Sequence, residues 1–255
     1  VAMLKKKTAV KIGVHTKERL ELTTLKKNPK SISTILDIIE SGLKDDEIQL
    51  SSEAKSKLGV KTGERLEVKI SSPPKSLDFI KEKLNGELLS DLKIKKIIQD
   101  IVENNLFESE IALFISAVYK NGMNFKETIS LIEAFLSSGK SFTLKNKYVV
   151  DKHSIGGIPG NRTTPIVVSI CAAAGLIFPK SSSRAITSAA GTADVIETLA
   201  KVDIPIEEVR KIISKTKACL VWGGSLGMVP ADSKIISIEK ELKIDSEALL
   251  LASIM

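Results

Sequence analysis

The sequence predicts a multidomain protein of mixed α+β and α/β class. A β-rich N-terminal domain is expected over residues 1–75, a helical domain over 76–147, the start of an α/β domain over 148–222, and a segment over 223–255 that returns to the helical domain. Three observations carry this: a period of two in the first part, a period of three and four in the middle, and a strand, a Gly-rich loop and an apolar helix in succession after residue 148.

Apolar and charged residues alternate over residues 9–14 and again in Leu66-Glu67-Val68-Lys69-Ile70, as half-buried strands require. Ser71-Ser72-Pro73-Pro74 then interrupts both ladder and helix, which places a linker and a boundary near residue 75. Beyond it Ile94, Ile97, Ile98, Ile101 and Val102 lie on one face of a helix over residues 91–104. Ser109 is expected to cap a second helix that stops at Gly122, and Asn124 with Glu127 a third that stops at Gly139. Tyr148-Val149-Val150 reads as a buried strand, residues 163–175 as a nearly all-apolar helix, and residues 193–200 as a further helix.

Composition narrows the class. With 43% apolar residues and 27% charged ones the chain has the makings of a packed core, which excludes a disordered or collagen-like protein. Only Cys171 and Cys219 are present, too few for a disulfide framework and without CxxC spacing, so both are expected as buried apolar fillers in a reducing compartment. The apolar stretch 166–178 is too short to span a bilayer, and Lys5, Lys6 and Lys7 leave no room for a signal sequence, so a cytoplasmic protein without membrane contact is expected. The net charge of +7 arises mainly in residues 1–150, with 26 Lys/Arg against 20 Asp/Glu. These cations are dispersed and aromatic residues scarce, which argues against nucleic acid and suits a solvated surface or an anionic small substrate.

The chemistry concentrates after residue 150. In Asp151-Lys152-His153-Ser154-Ile155-Gly156-Gly157 a strand hands over to a helix: glycines let N–H groups converge, the helix N-terminus adds partial positive charge, and Lys152 a full one. Neither a Walker A loop nor GxGxxG is present. A second polar loop, Ser181-Ser182-Ser183-Arg184-Ala185-Ile186-Thr187-Ser188, runs into Gly191-Thr192 with almost no acidic residue to repel an anion. Read without further context, Gly156-Gly157 could simply turn the chain, Asp245 could cap the helix after it, His153 could be a packing residue, and His15 is a surface residue.

These motifs together, with GNRTT at 160–164, SSSRAITSAAGTAD at 181–194, VWGG at 221–224, PAD at 230–232, and IDS followed by SIM at 253–255, resemble the thymidine and pyrimidine-nucleoside phosphorylase family, and within it the archaeal AMP phosphorylase branch. The resemblance runs from about residue 85 to the end, and the extra β-rich domain before it is also a feature of that branch. It implies phosphorolysis: phosphate attacks C1′ of a nucleotide's ribose, releasing the base and forming ribose 1,5-bisphosphate, with no cofactor and no metal. It implies phosphate contacts at Lys152, Ser154, Thr164, Ser182 and Thr192. Nucleotide contacts are implied at Gly157, Ser183, Arg184, Ala185, Ile186, Thr187, Ser188, Thr192 and Ser253, and Asp245 as the proton donor to the leaving base. A homodimer or larger homo-oligomer through the helical domain is implied too.

Ile238 stands where pyrimidine-nucleoside members carry a base-gripping Arg, which points away from pyrimidine nucleosides and toward a nucleoside monophosphate. The chain begins without Met and reaches Met255 before the family's Ser-x-x-x-Lys is complete, so a partial α/β domain with poor turnover is expected. Two other readings compete. SRAITSAAGTADVIE also resembles the anthranilate phosphoribosyltransferases, which use a diphosphate donor with magnesium, but no adjacent Asp-Glu pair follows VWGG. The basic first domain alone would suit a nucleic-acid-binding or assembly module.

Overall fold

The computed structural model describes residues 1–145, 148–153, 162–185 and 189–254, which divide into two compact units, Val1–Lys75 and Ser76–Met255. The first unit is a five-stranded sheet with two short helices. In chain order it contains β1 (Ala2–Lys5), α1 (Lys6–Ile12), β2 (Arg19–Thr24), β3 (Ser31–Ile39), β4 (Ile48–Leu50), α2 (Ser52–Leu58) and β5 (Leu66–Ile70). The sheet order is β4-β1-β3-β2-β5, and β1 runs parallel to β3 while the other pairs are antiparallel. Leu20 and Leu22 point into the core with Leu4, Leu36 and Leu58, whereas Glu21 between them faces water.

The strand expected over 9–14 is a helix. Ala9 is buried and Val10 and Ile12 are exposed, and Gly13 at φ 72° closes α1 by donating to the carbonyls of Ala9 and Val10. Alternation over so few residues does not separate the two periods, and the decisive signal is a glycine placed to take the left-handed conformation at a helix end.

The second unit carries α3 (Ser76–Leu84), α4 (Asp91–Val102), α5 (Glu108–Asn121), α6 (Phe125–Ser138), α7 (Thr163–Ala173), β6 (Phe178–Ser182), α8 (Thr192–Glu197), α9 (Ile206–Thr216), β7 (Ala218–Trp222), α10 (Gly223–Leu226), α11 (Pro230–Leu242) and α12 (Glu247–Ile254). In α4, Ile94, Ile97, Ile98 and Ile101 are all buried against Phe114, Leu131 and Phe135 of the neighbouring helices. The chain then leaves for the α/β part and comes back: Ile235 and Ile238 of α11 and Leu249 and Ala252 of α12 complete this same core.

Asn124 and Glu127 form a reciprocal cap on α6, each side chain accepting from the other's backbone N–H at 2.8 and 2.9 Å. Glu127 also accepts from Lys83 Nζ at 2.9 Å and Leu89 N at 2.8 Å, so one buried carboxylate ties α3, the α3–α4 connection and α6 together. Burial opposes its charge, but these three donors and the charge of Lys83 hold its pKa below the usual range. Ser109 does not cap α5. That helix begins one residue earlier, and Glu110 Oε2 accepts from the backbone N–H of Phe107 at 2.8 Å, so the acid three residues in, rather than a hydroxyl, closes the N-terminus.

The α/β part pairs β6 with β7 in parallel, opposing Lys180 to Leu220 and Ser182 to Trp222. The buried strand expected at 148–150 is only a single parallel bridge of Val149 to Ile177, and Tyr148 and Val149 remain exposed. Three apolar residues signal a strand by composition, but a single bridge on one side covers only part of it. The helix expected over 163–175 is α7, whose last turn precedes Gly175 at φ 94°. Cys219 is buried, its thiol pushed up to about 11 by desolvation first and then by the charge of Asp151, while Cys171 is only half-buried. Among the described residues no helix is long and apolar enough to cross a membrane.

Candidate functional site

The loop after Val150 is built around a carboxylate. Asp151 Oδ1 accepts from the backbone N–H of Lys152 at 2.8 Å, and Oδ2 lies 2.7 Å from His153 Nε2. Burial opposes the Asp151 charge, yet the His153 hydrogen bond, the charge of Lys180 and the Lys152 N–H outweigh it and hold the carboxyl below its usual pKa. An ionised carboxylate only accepts, so the imidazole must present a proton at Nε2. Lys152 in turn reaches the opening turn of α7, where its Nζ donates to Thr164 Oγ1 at 3.2 Å.

Thus two of the expected phosphate contacts, Lys152 and Thr164, are brought together from loop and helix. Thr164 is buried, so its hydroxyl is held in place by packing. Ser182 stands at the C-terminal end of β6, its hydroxyl donating to the Ser183 carbonyl at 3.1 Å. Ser154 and Gly157 lie outside the described residues.

Beneath this loop is a residue that the sequence reading did not single out. Lys180 of β6 is 3% exposed, its Nζ donates to the Ser181 carbonyl and lies 3.6 Å from Asp151 Oδ1. Burial lowers its pKa and the nearby charge of Lys152 adds to that, against the attraction of Asp151. The sequence did hold a signal: in a strand that buries Phe178, the period of two places Lys180 on the same inward face, an unusual position for a lysine.

The second loop is organised from below by acids, contrary to the expectation that few stand near it. Asp194 Oδ2 accepts from the backbone N–H groups of Ala185 at 2.8 Å and Gly191 at 2.9 Å, and Oδ1 accepts from Arg184 at 3.0 Å. Desolvation opposes the Asp194 charge, and these donors overcome it. Arg184 further makes a two-pronged pair with Glu197 at 2.6 and 2.8 Å, and its guanidinium lies 5.0 Å from the Trp222 ring centre.

Gly191 is required by close approach, since a Cβ there would stand 2.7–2.8 Å from backbone atoms of Ser183, Arg184 and Ala185. Gly224 clears the Trp222 ring, which a Cβ would meet at 2.4 Å. Thr192 opens α8 directly after Gly191. The acids therefore hold the backbone N–H groups of Ala185 and Gly191 and the guanidinium of Arg184. Ile186, Thr187 and Ser188 lie outside the described residues.

Asp245 and Ser253 belong to the helical part, Asp245 before α12 and Ser253 in its last turn. Asp245 is not at the cap position: Ser246 directly precedes Glu247, and its carbonyl accepts from Leu250 N at 2.8 Å. Two carboxyls of α11, the half-buried Asp232 and the buried Glu239, face this element. Desolvation raises Asp232 to about 6 against a hydrogen bond from Ser253, and raises Glu239 to about 8 with the charges of Asp245 and Asp232 adding to it. Asp232 and Glu239 are seven residues apart, so they share one face of α11. Ile238, beside them, is buried in the helical core.

Known proteins place these features in one family. Residues 77–139 match the helical bundle domain of a glycosyl transferase family, and residues 146–247 match the a/b domain of a glycosyl transferase family. An AMP phosphorylase of Pyrococcus furiosus is 42% identical over 95% of this chain and 47% of its own length. One of Methanocaldococcus jannaschii is 42% identical over 89% of this chain and 45% of its own, and one of Thermococcus sibiricus 39% identical over the whole chain and 50% of its own.

The chain thus spans about half the length of the curated relatives it matches. In fold it is similar to an anthranilate phosphoribosyltransferase of Thermus thermophilus, with a TM-score of 0.57 and 21% identity over 69% of this chain and 54% of that one. The two matched domains in order, with relatives about 40% identical over most of the chain, show that it belongs to the glycosyl transferase family that includes the AMP phosphorylases.

Proposed function

We propose that the protein carrying this chain is a pentosyltransferase that phosphorolyses nucleoside 5′-monophosphates, AMP among them, in nucleotide degradation or salvage. The observation that carries the reading is the Lys152–Thr164 contact at 3.2 Å, a cation and a buried hydroxyl joined at the opening of α7 where an oxyanion is favoured. The names of the relatives support it.

In the reaction a phosphate oxygen bonds to C1′ as the C1′–N bond breaks, and the base leaves with the bonding electron pair. Lys152, Thr164, Ser182, Thr192 and, outside the described residues, Ser154 hold phosphate in line. Ser183, Arg184, Ala185, Thr192 and Ser253, with Gly157, Ile186, Thr187 and Ser188, contact the nucleotide. Asp245 gives its proton to a ring nitrogen of the departing base, and the sugar product is ribose 1,5-bisphosphate. Positioned reactants and a group that meets developing charge are what such a displacement needs.

The enzyme is cytoplasmic and homo-oligomeric. Exposed Leu88, Leu92, Phe125 and Leu136 on the helical part support association between copies. The magnesium-dependent transferase reading is less supported, since its representative shares only 21% identity against about 40% for the AMP phosphorylases. Phosphate-dependent release of base from AMP, CMP and UMP, compared with adenosine and thymidine, tests the reading. Monophosphates should turn over faster, and equal turnover of adenosine or thymidine would overturn the substrate class.

A further inference from the structure

We infer that Lys180 is a positioning residue of the phosphate site, acting through Asp151 on Lys152 and His153; this rests on the proposed reading of the Lys152 loop as the phosphate site. The contacts form a short chain. Lys180 Nζ stands 3.6 Å from Asp151 Oδ1, the same oxygen accepts from the Lys152 backbone at 2.8 Å, and the other carboxylate oxygen holds His153 Nε2 at 2.7 Å. Lys180 is 3% exposed and fixed by its bond to the Ser181 carbonyl, so its ammonium is part of the floor beneath the loop.

A buried ammonium is tolerated where a counter-charge faces it, and a half-exposed carboxylate keeps its charge where cations and N–H groups surround it. The pair therefore secures both charges. With Asp151 ionised, the backbone at Lys152 and the imidazole of His153 each have a fixed acceptor, and Lys152 Nζ is directed toward Thr164. The ammonium of Lys180 faces the Asp151 carboxylate, so that of Lys152 brings positive charge to the opening of α7, where a phosphate dianion is favoured.

The test is titration of inorganic phosphate into the full-length protein by calorimetry, between pH 5 and 8, for the wild type, Lys180→Met, Asp151→Asn and the double variant. Each single change should weaken phosphate binding by about tenfold or more. The double variant should be no weaker than the weaker single one, because both act through one pair. In Lys180→Met the carboxyl of Asp151 loses a neighbouring cation and takes up its proton more readily, so affinity should fall toward pH 5 more steeply than in the wild type.

A merely structural Lys180 would lower the melting temperature without changing this pH profile. Lys180→Met with wild-type affinity, or losses that add in the double variant, would overturn the inference. Should Lys180→Met fail to fold, Asp151→Asn decides alone, and unchanged phosphate affinity in it sinks the claim. A wild-type protein that binds no phosphate would instead remove the proposed function, and the inference with it.

Discussion

Glu239→Gln should make the protein more stable at alkaline pH. Glu239 is 4% exposed on α11, its Oε1 has no hydrogen-bond partner among the described residues, and it faces the charges of Asp245 and Asp232. Its pKa stands at about 8 in the folded protein against 4.5 for the ordinary group. A group whose folded pKa is raised binds its proton more tightly when folded. Its stabilisation is complete below 4.5 and is lost as pH rises toward about 8.

At about 1.4 kcal/mol per pH unit, the interval corresponds to up to about 5 kcal/mol. Glutamine keeps the shape and cannot ionise, so it removes this dependence. Melting temperatures of wild type and variant, followed by calorimetry from pH 5 to 8.5, should lie close together at pH 5 and separate as the wild type falls. Each kcal/mol is worth about 2–4 °C in a chain of this size. Parallel curves across the range would refute the reasoning and mean that Glu239 reaches solvent or a cation when it ionises.

Other expectations follow from single contacts. Gly191→Ala places a Cβ against backbone that cannot yield, at 2.7–2.8 Å, so it should cost about 1–3 kcal/mol and weaken AMP binding in a titration; unchanged affinity would mean that the Ser183–Ala185 backbone shifts freely. Lys83→Met leaves the Glu127 carboxylate buried without its ammonium and should cost about 3–5 kcal/mol in denaturant unfolding, where a change under 1 kcal/mol would show that the two backbone N–H groups of Leu89 and Asn124 suffice. Asp245→Asn should keep the melting temperature, since Ser246 precedes the helix, while turnover in the full-length enzyme falls by about a hundredfold to ten-thousandfold. Near-normal turnover would remove Asp245 from the chemistry.

Helices with long periodic faces were legible in the sequence, because α4 repeats its isoleucines over two turns and α6 announces its start with Asn124 and Glu127. The short elements were not. Residues 9–14 satisfy either period, and only Gly13 tells that the chain must turn out of a helix. In the site, Lys152 and Thr164 could be named from the order of motifs, and the packing then joins them.

Lys180, Asp194 and Glu239 escaped because their meaning is not local. Lys180 matters through Asp151, a residue 29 positions earlier, and Glu239 through burial of its carboxyl near Asp245, in the connection from α11 to α12. Asp194 looked like one acid after a polar run, yet it is the acceptor on which Ala185, Gly191 and Arg184 converge. Such roles come from how loops and helix ends fold back on themselves, which periodicity does not encode.

The central claim is that the loop at Lys152 holds the phosphate that cleaves a nucleotide, and a phosphate titration of base release from AMP tests it most directly. In the full-length wild-type enzyme adenine release should require phosphate, saturate with it, and match the sugar phosphate formed mole for mole. In Lys152→Ala the phosphate concentration for half-maximal rate should rise by about tenfold or more at an unchanged melting temperature. Adenine release without phosphate, or the same phosphate dependence in the variant, would contradict the account.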